Sequence, residues 1–368
     1  MSKSFSIYLD LLRFIAACLV YQSHANQRLL VSTVPPASSF GHSSVIVFFV
    51  LSGYVISWIS ASREKNLASY AASRLSRIYS VAVPAIILSI LLDAAGRQLY
   101  PELYTYPFSK FFTRSASSLL MLNEVWFLSI ISFSNIPFWS ICYESWYYLA
   151  FGLLTFLRRR HAVFFVAALA MLLGPKILLL APVWAAGVVL YRWKALQALS
   201  EFQAWLLVLA SVCGIIAFHQ ADMTNLLAYH LRSMIGYKPY IDLAYSKFFL
   251  SDYMLASLVF CNFAGMRRVC ARLEPALLLI ERPVRFLASY TFTLYLLHQP
   301  LLLFWGAVIH GNPGAYGYWG MITTMVALSV LLLGHVTENR RHLLKHWLEQ
   351  GFIRMGRSVI EKAHVYKH

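Results

Sequence analysis

Arg13, His24 and Glu144 stand inside apolar stretches where water is scarce, and each is a residue type that moves protons or holds charge. The first stretch reads Asp10-Leu11-Leu12-Arg13 and reaches His24 eleven residues after the arginine. At about 100° per residue, that spacing returns to nearly the same helical face, roughly 16 Å further along the axis. Asp10 and Arg13, three residues apart, share a side and can pair. An imidazole exchanges protons near neutral pH, so His24 suits the work of a general base. The competing explanations are an arginine that snorkels to the interface and a histidine that merely sits there. Glu144 lies in Trp139-Ser140-Ile141-Cys142-Tyr143-Glu144-Ser145-Trp146-Tyr147-Tyr148. A carboxylate among such neighbours must be paired or protonated, and Arg13 and His24 are its candidate partners. An ion pair that only fixes helix packing would explain it as well.

Arg74 and Arg77 are three apart, which puts both guanidiniums on one helical face. Each offers a planar fork of donors that suits phosphate, although basic residues at a membrane edge also serve orientation alone. His298 closes an aromatic run ahead of Pro300 and reads as a site-lining or helix-positioning residue. Glu338 reads as a cap or loop partner. No serine or cysteine stands out as a nucleophile.

Composition says which elements must position these groups. The 368 residues are 59% hydrophobic and 12% charged, with a mean hydropathy of +0.61. A soluble domain carries roughly 25% charged residues, so soluble enzymes, disulfide scaffolds and disordered chains are excluded. The expected fold is all-α: a polytopic transmembrane helical bundle of about ten spans, because only internally hydrogen-bonded helices satisfy the backbone in lipid. The expected spans are 5–24, 43–61, 79–95, 138–157, 162–175, 176–191, 203–219, 247–266, 286–308 and 318–336.

Lys and Arg number 31 against 15 Asp and Glu, a net charge of +16. No basic run is interleaved with aromatics on a polar face, so no nucleic-acid partner is expected; the lipid bilayer is the partner. The basic residues concentrate in short loops. With the N-terminus in the cytoplasm, Arg63, Lys65, Arg74, Arg77, Arg158, Arg159 and Arg160 all fall inside, as do those after 337. Both termini are then cytoplasmic, and the chain divides into a membrane domain 1–340 and a basic cytoplasmic tail 341–368. The apolar stretch 113–133 is expected to re-enter or lie in the interface on the outer side, since a full span there would put Arg158, Arg159 and Arg160 outside. The first apolar stretch contains Asp10 and Arg13 and lacks a small-residue cleavage site, so it reads as a retained membrane helix. The five cysteines form neither a C-x-x-C nor a Cys/His cluster, so no metal or disulfide framework is expected.

Five motifs occur in order along these spans: Arg13 with His24; Phe48-Phe49-Val50-Leu51-Ser52-Gly53-Tyr54; Arg74-x-x-Arg77-Ile78-Tyr79; Trp139-Ser140 with Glu144 and Tyr148; and Tyr295-Leu296-x-His298-x-Pro300. On these the chain resembles the acyltransferase-3 family of bacterial integral-membrane O-acyltransferases, which acetylate O-antigen, exopolysaccharide, glucan and nodulation factors. The resemblance covers about 5–340. It departs at Ile46, where the family often has an acid, and at Ser80 and Asn339, where it often has proline. The resemblance implies transfer of an acyl group, most commonly acetyl, from cytoplasmic acyl-CoA to a saccharide hydroxyl at the outer side of the bacterial inner membrane. It implies acyl-CoA as co-substrate, with Arg74 and Arg77 on its phosphates, His24 as base, and Arg13 and Glu144 fixing the pocket or balancing charge.

A transporter or flippase for a lipid-linked sugar or small anion would also need intramembrane Arg, Glu and His. It would be expected to show inverted repeats and matching Gly/Pro-broken spans, which the sequence lacks. An inactive sensor or scaffold would tolerate loss of His24. The outer loops 96–137 and 220–246 are rich in tyrosine, which suits sugar stacking and an interfacial aromatic belt equally.

Overall fold

The computed structural model describes residues 1–29 and 40–365. Among them the ordered structure is helical. Helix α1 (Lys3–Arg28) starts at Ser2, whose hydroxyl accepts from Phe5 N at 3.2 Å. Next come α2 (Gly41–Arg63) and α3 (Leu67–Leu99), the latter capped by Asn66 accepting from Ser69 N at 2.9 Å. Helix α4 (Phe111–Leu119) precedes α5 (Phe138–Phe156), α6 (Arg159–Leu173) and α7 (Pro175–Arg192). Then follow α8 (Glu201–Gln220), α9 (Met223–Ile235), α10 (Tyr237–Asp242) and α11 (Phe249–Val269). The chain ends with α12 (Glu274–Leu279), α13 (Glu281–Ala288), α14 (Thr291–Val308), α15 (Tyr316–Val336) and α16 (Arg341–Val365).

Among the described residues eight helical stretches are long and apolar enough to cross a membrane; α5 and α6 stand where the fourth and fifth spans are expected. The chain is a polytopic bundle. Helix α14 lies at its centre, 72% buried, while α8 lies at its edge, 17% buried. Helices α2 and α7 meet backbone to backbone. A Cβ on Gly187 would run into the Val50 carbonyl, and one on Gly53 into that of Trp184. Small residues at such a seam give helices in lipid their close packing.

Two boundaries differ from expectation, each for a physical reason. Helix α3 begins at Leu67 rather than 79, so its first turns carry Arg74 and Arg77 as rigid helix. At about 1.5 Å per residue its 33 residues reach well past a 30 Å hydrocarbon layer. The expected span 286–308 is broken at Ser289 and Tyr290 into α13 and α14. Charges brought from elsewhere hold that break: Arg13 Nη2 donates to Ala288 O at 2.7 Å, and Glu338 accepts from Thr293 N at 2.9 Å. A cation on a helix C-terminus and an anion on an N-terminus suit the two helix dipoles. The stretch 113–133, expected to re-enter or lie in the interface, forms no spanning helix. The nine-residue α4 gives way to irregular backbone with left-handed Met121, Trp126 and Phe133. Neighbouring helices satisfy part of its backbone: Tyr79 donates to Leu119 O at 2.6 Å and Trp146 Nε1 to Met121 O at 2.7 Å. Side-chain donors of this kind are what non-helical backbone next to lipid needs.

Candidate active site

Helices α1, α2, α3, α5 and α14, with the turn after α15 and the start of α16, line a narrow cavity of about 50 Å³ whose polar lining includes Arg13, Ser52, Arg77, Ser140, Glu144, Thr291, Glu338 and Arg341. Arg13 is held by the Ala288 carbonyl and by Asp10 at 3.5 Å, as its spacing suggests. Asp10 itself also binds Arg285. One donor of Arg13, Nε, is buried without a partner.

Glu144 is satisfied by groups other than those expected. Neither Arg13 nor His24 forms an ion pair with it among the described residues. Instead Ser52 donates its hydroxyl to Oε1, and Tyr148 does so at 2.5 Å. Ser52 also accepts from Trp184 Nε1 at 3.2 Å. The partners therefore come from α2 and from one turn along α5 itself. Both were visible in the motifs, Ser52 in the second and Tyr148 in the fourth, but helix rotation, which spacing alone does not give, decides the pairing.

The two α3 arginines part company. Arg74 is 5% exposed and bound to Glu64, itself 5% exposed, with the Tyr70 ring beneath its guanidinium at 5.4 Å. It lines a separate, mainly apolar groove between α3 and α5. Arg77 lines the cavity, in the field of Glu144 and Glu338, and its guanidinium makes no hydrogen bond or ion pair with a described residue. The expectation of two guanidiniums on one shared anion is thus corrected to one, with Arg74 engaged by the carboxylate of Glu64.

His24 lies outside the cavity lining but is tied to it. Its Nδ1 is 2.7 Å from His298 Nε2, and the rings are parallel to within 11°. His298 is fully buried, with Nδ1 2.8 Å from Tyr295 O and 3.1 Å from Leu294 O. A carbonyl only accepts, so His298 carries its proton on Nδ1 and presents a lone pair on Nε2. The bridging proton then sits on His24 Nδ1, and a neutral His24 has its lone pair on Nε2. Tyr295, one turn from His298, lines the cavity and pairs with Ser140 Oγ at 2.6 Å. Glu338 is a cap, as read, and is also part of the cavity wall. Arg341, a further wall residue, escaped the sequence reading; its signal was its place three residues after Glu338.

A helical bundle with charged groups converging on an internal cavity is the architecture of an integral-membrane protein that acts on a ligand within the bilayer. The sequence pattern of the acyltransferase domain matches residues 6–334. The chain belongs to the acyltransferase-3 family and is a multi-pass membrane acyltransferase. No curated protein and no solved structure matches it.

Proposed function

We propose that the protein moves an acyl group, acetyl in the first instance, from cytoplasmic acyl-CoA to a hydroxyl of an extracytoplasmic saccharide in a bacterial inner membrane. The observation that carries this reading is the pairing of two unlike sites through α14. One is a cavity near the basic end of the bundle, where the guanidinium of Arg77 has no hydrogen-bond or ion-pair partner among the described residues. The other is the His24–His298 pair, whose tautomers put the lone pair of a neutral His24 on Nε2. The positive-inside rule assigns the basic end to the cytoplasm.

In this reading Arg77 receives donor phosphate, while Arg13 and Glu144 shape the pocket around the donor's narrow arm. His24 Nε2 takes the proton of the acceptor hydroxyl as that oxygen attacks the thioester carbonyl. The carbon–sulfur bond then breaks, and the thiolate leaves with the proton His24 returns. The hydrogen bond to His298 orients the ring and stabilises its charged form. A base so placed contributes about 10²–10⁴-fold.

The test supplies radiolabelled acetyl-CoA to the cytoplasmic face of membrane vesicles and follows label into glycan. Transfer is expected with wild type and absent with His24→Ala at equal, folded protein levels. Retention of most transfer by His24→Ala overturns the role of His24. Flux of a sugar or anion without thioester consumption overturns the enzymatic reading in favour of a transporter.

A further inference from the structure

Arg341 opens α16, the helix that follows the matched domain, and α16 packs along α3, which carries Arg77. The residue is exposed, yet its side chain forms part of the cavity wall, which places it at the mouth. Its guanidinium makes no hydrogen bond or ion pair with a described residue. Arg77 is in the same condition deeper in the same cavity. Arg341 lies in the combined field of Arg77, Glu338, Arg13 and Arg74, three like charges and one opposite.

The carboxylates lining the cavity, Glu144 and Glu338, act on these guanidiniums only through their field and make no hydrogen bond or ion pair with either. Glu338 is engaged by the α14 N-terminus through Thr293 N at 2.9 Å and Thr293 Oγ1 at 3.0 Å. Two guanidiniums whose donors find no acceptor at a cavity lined by three arginines and two carboxylates leave room for an anion that supplies acceptors to both. Guanidiniums match phosphate oxygens with paired donors, so a polyphosphate is the chemistry that fits.

We propose that Arg341, contributed by the helix beyond the acyltransferase domain, is a donor-binding residue that acts with Arg77 on the phosphates of the nucleotidyl thioester and so discriminates it from a phosphate-free thioester. This rests on the donor reading given above.

The test measures equilibrium binding of coenzyme A and of pantetheine, which lacks the phosphates, to the full-length protein in lipid nanodiscs. Arg341→Ala is expected to weaken coenzyme A binding about tenfold, the loss of one charge-assisted contact, and to leave pantetheine binding unchanged. Arg341→Gln should behave alike. Arg340→Ala removes the same charge one residue away, outside the cavity wall, and should leave both affinities as in wild type. Coenzyme A affinity within twofold of wild type in both Arg341 variants overturns the proposal, as does an equal loss from Arg340→Ala or a parallel fall in pantetheine binding. If Arg77→Ala weakens coenzyme A binding while the Arg341 variants do not, the donor reading stands and this inference fails. If the wild-type protein binds no coenzyme A, the donor reading fails and takes the inference with it.

Discussion

Replacing His298 tests the histidine pair without touching the proposed base. The side chain is fully buried, so His298→Phe keeps a ring in the space and removes both nitrogens. What is lost is the acceptor 2.7 Å from His24 Nδ1. A buried donor left unmatched costs about 1–3 kcal/mol. If that cost falls on the transition state, where the His24 ring gains charge, kcat drops by about 5- to 150-fold at 1.36 kcal/mol per decade. The loss should be smaller than the 10²–10⁴-fold expected for His24→Ala. His298→Gln keeps an acceptor at the same depth and should recover part of the rate. Because the two rings act as one unit, His24→Ala with His298→Phe should be no slower than His24→Ala alone. The assay is the initial rate of acetyl transfer in vesicles, normalised to folded protein. A His298→Phe protein as fast as wild type refutes the argument. So does a double variant whose losses multiply, because the two residues would then act separately.

The two α3 arginines should give opposite phenotypes. Arg77→Ala should raise the donor KM about tenfold or more at unchanged thermal stability; an unchanged KM would remove it from the donor site. Arg74→Ala leaves Glu64 buried and unpaired and should destabilise the protein by about 3–5 kcal/mol, with Arg74→Ala plus Glu64→Ala recovering most of it; thermal unfolding in detergent reads both, and a stable single variant would refute the pairing. Gly187→Leu drives a side chain into the Val50 carbonyl and should lower the unfolding midpoint through an overpacking cost of about 1–3 kcal/mol or more. A variant as stable as wild type would show that α2 and α7 do not meet there.

Hydropathy made the bundle legible, because lipid demands long apolar helices whatever their neighbours. It did not show where helices end when another helix supplies the end. The break between α13 and α14 depends on Arg13 and Glu338, hundreds of residues from it in one case and dozens in the other. An apolar window over 286–308 contains no trace of either. Likewise α3 starts early because Asn66 caps it, in a stretch too polar to register as a span.

The site was legible as a set of residue types and only partly as a set of partners. Spacing correctly paired Asp10 with Arg13, since both are on one helix and one turn fixes their relation. Across helices it had no such constraint. Two residues three apart differ by about 60° around the axis, which reads as one face in isolation. In the bundle that angle is enough to divide them: Arg74 turns toward Glu64 and the groove bordered by Tyr148, and Arg77 enters the cavity where Tyr148 and Ser52 hold Glu144. Glu144 was read as needing a cation because burial makes a lone carboxylate costly. Two hydroxyl donors reduce that cost as well, and they leave the guanidinium of Arg77 without a carboxylate hydrogen-bonded to it. A direct Arg77–Glu144 pair would have filled the same cavity with a closed ion pair and left it less to offer an incoming anion.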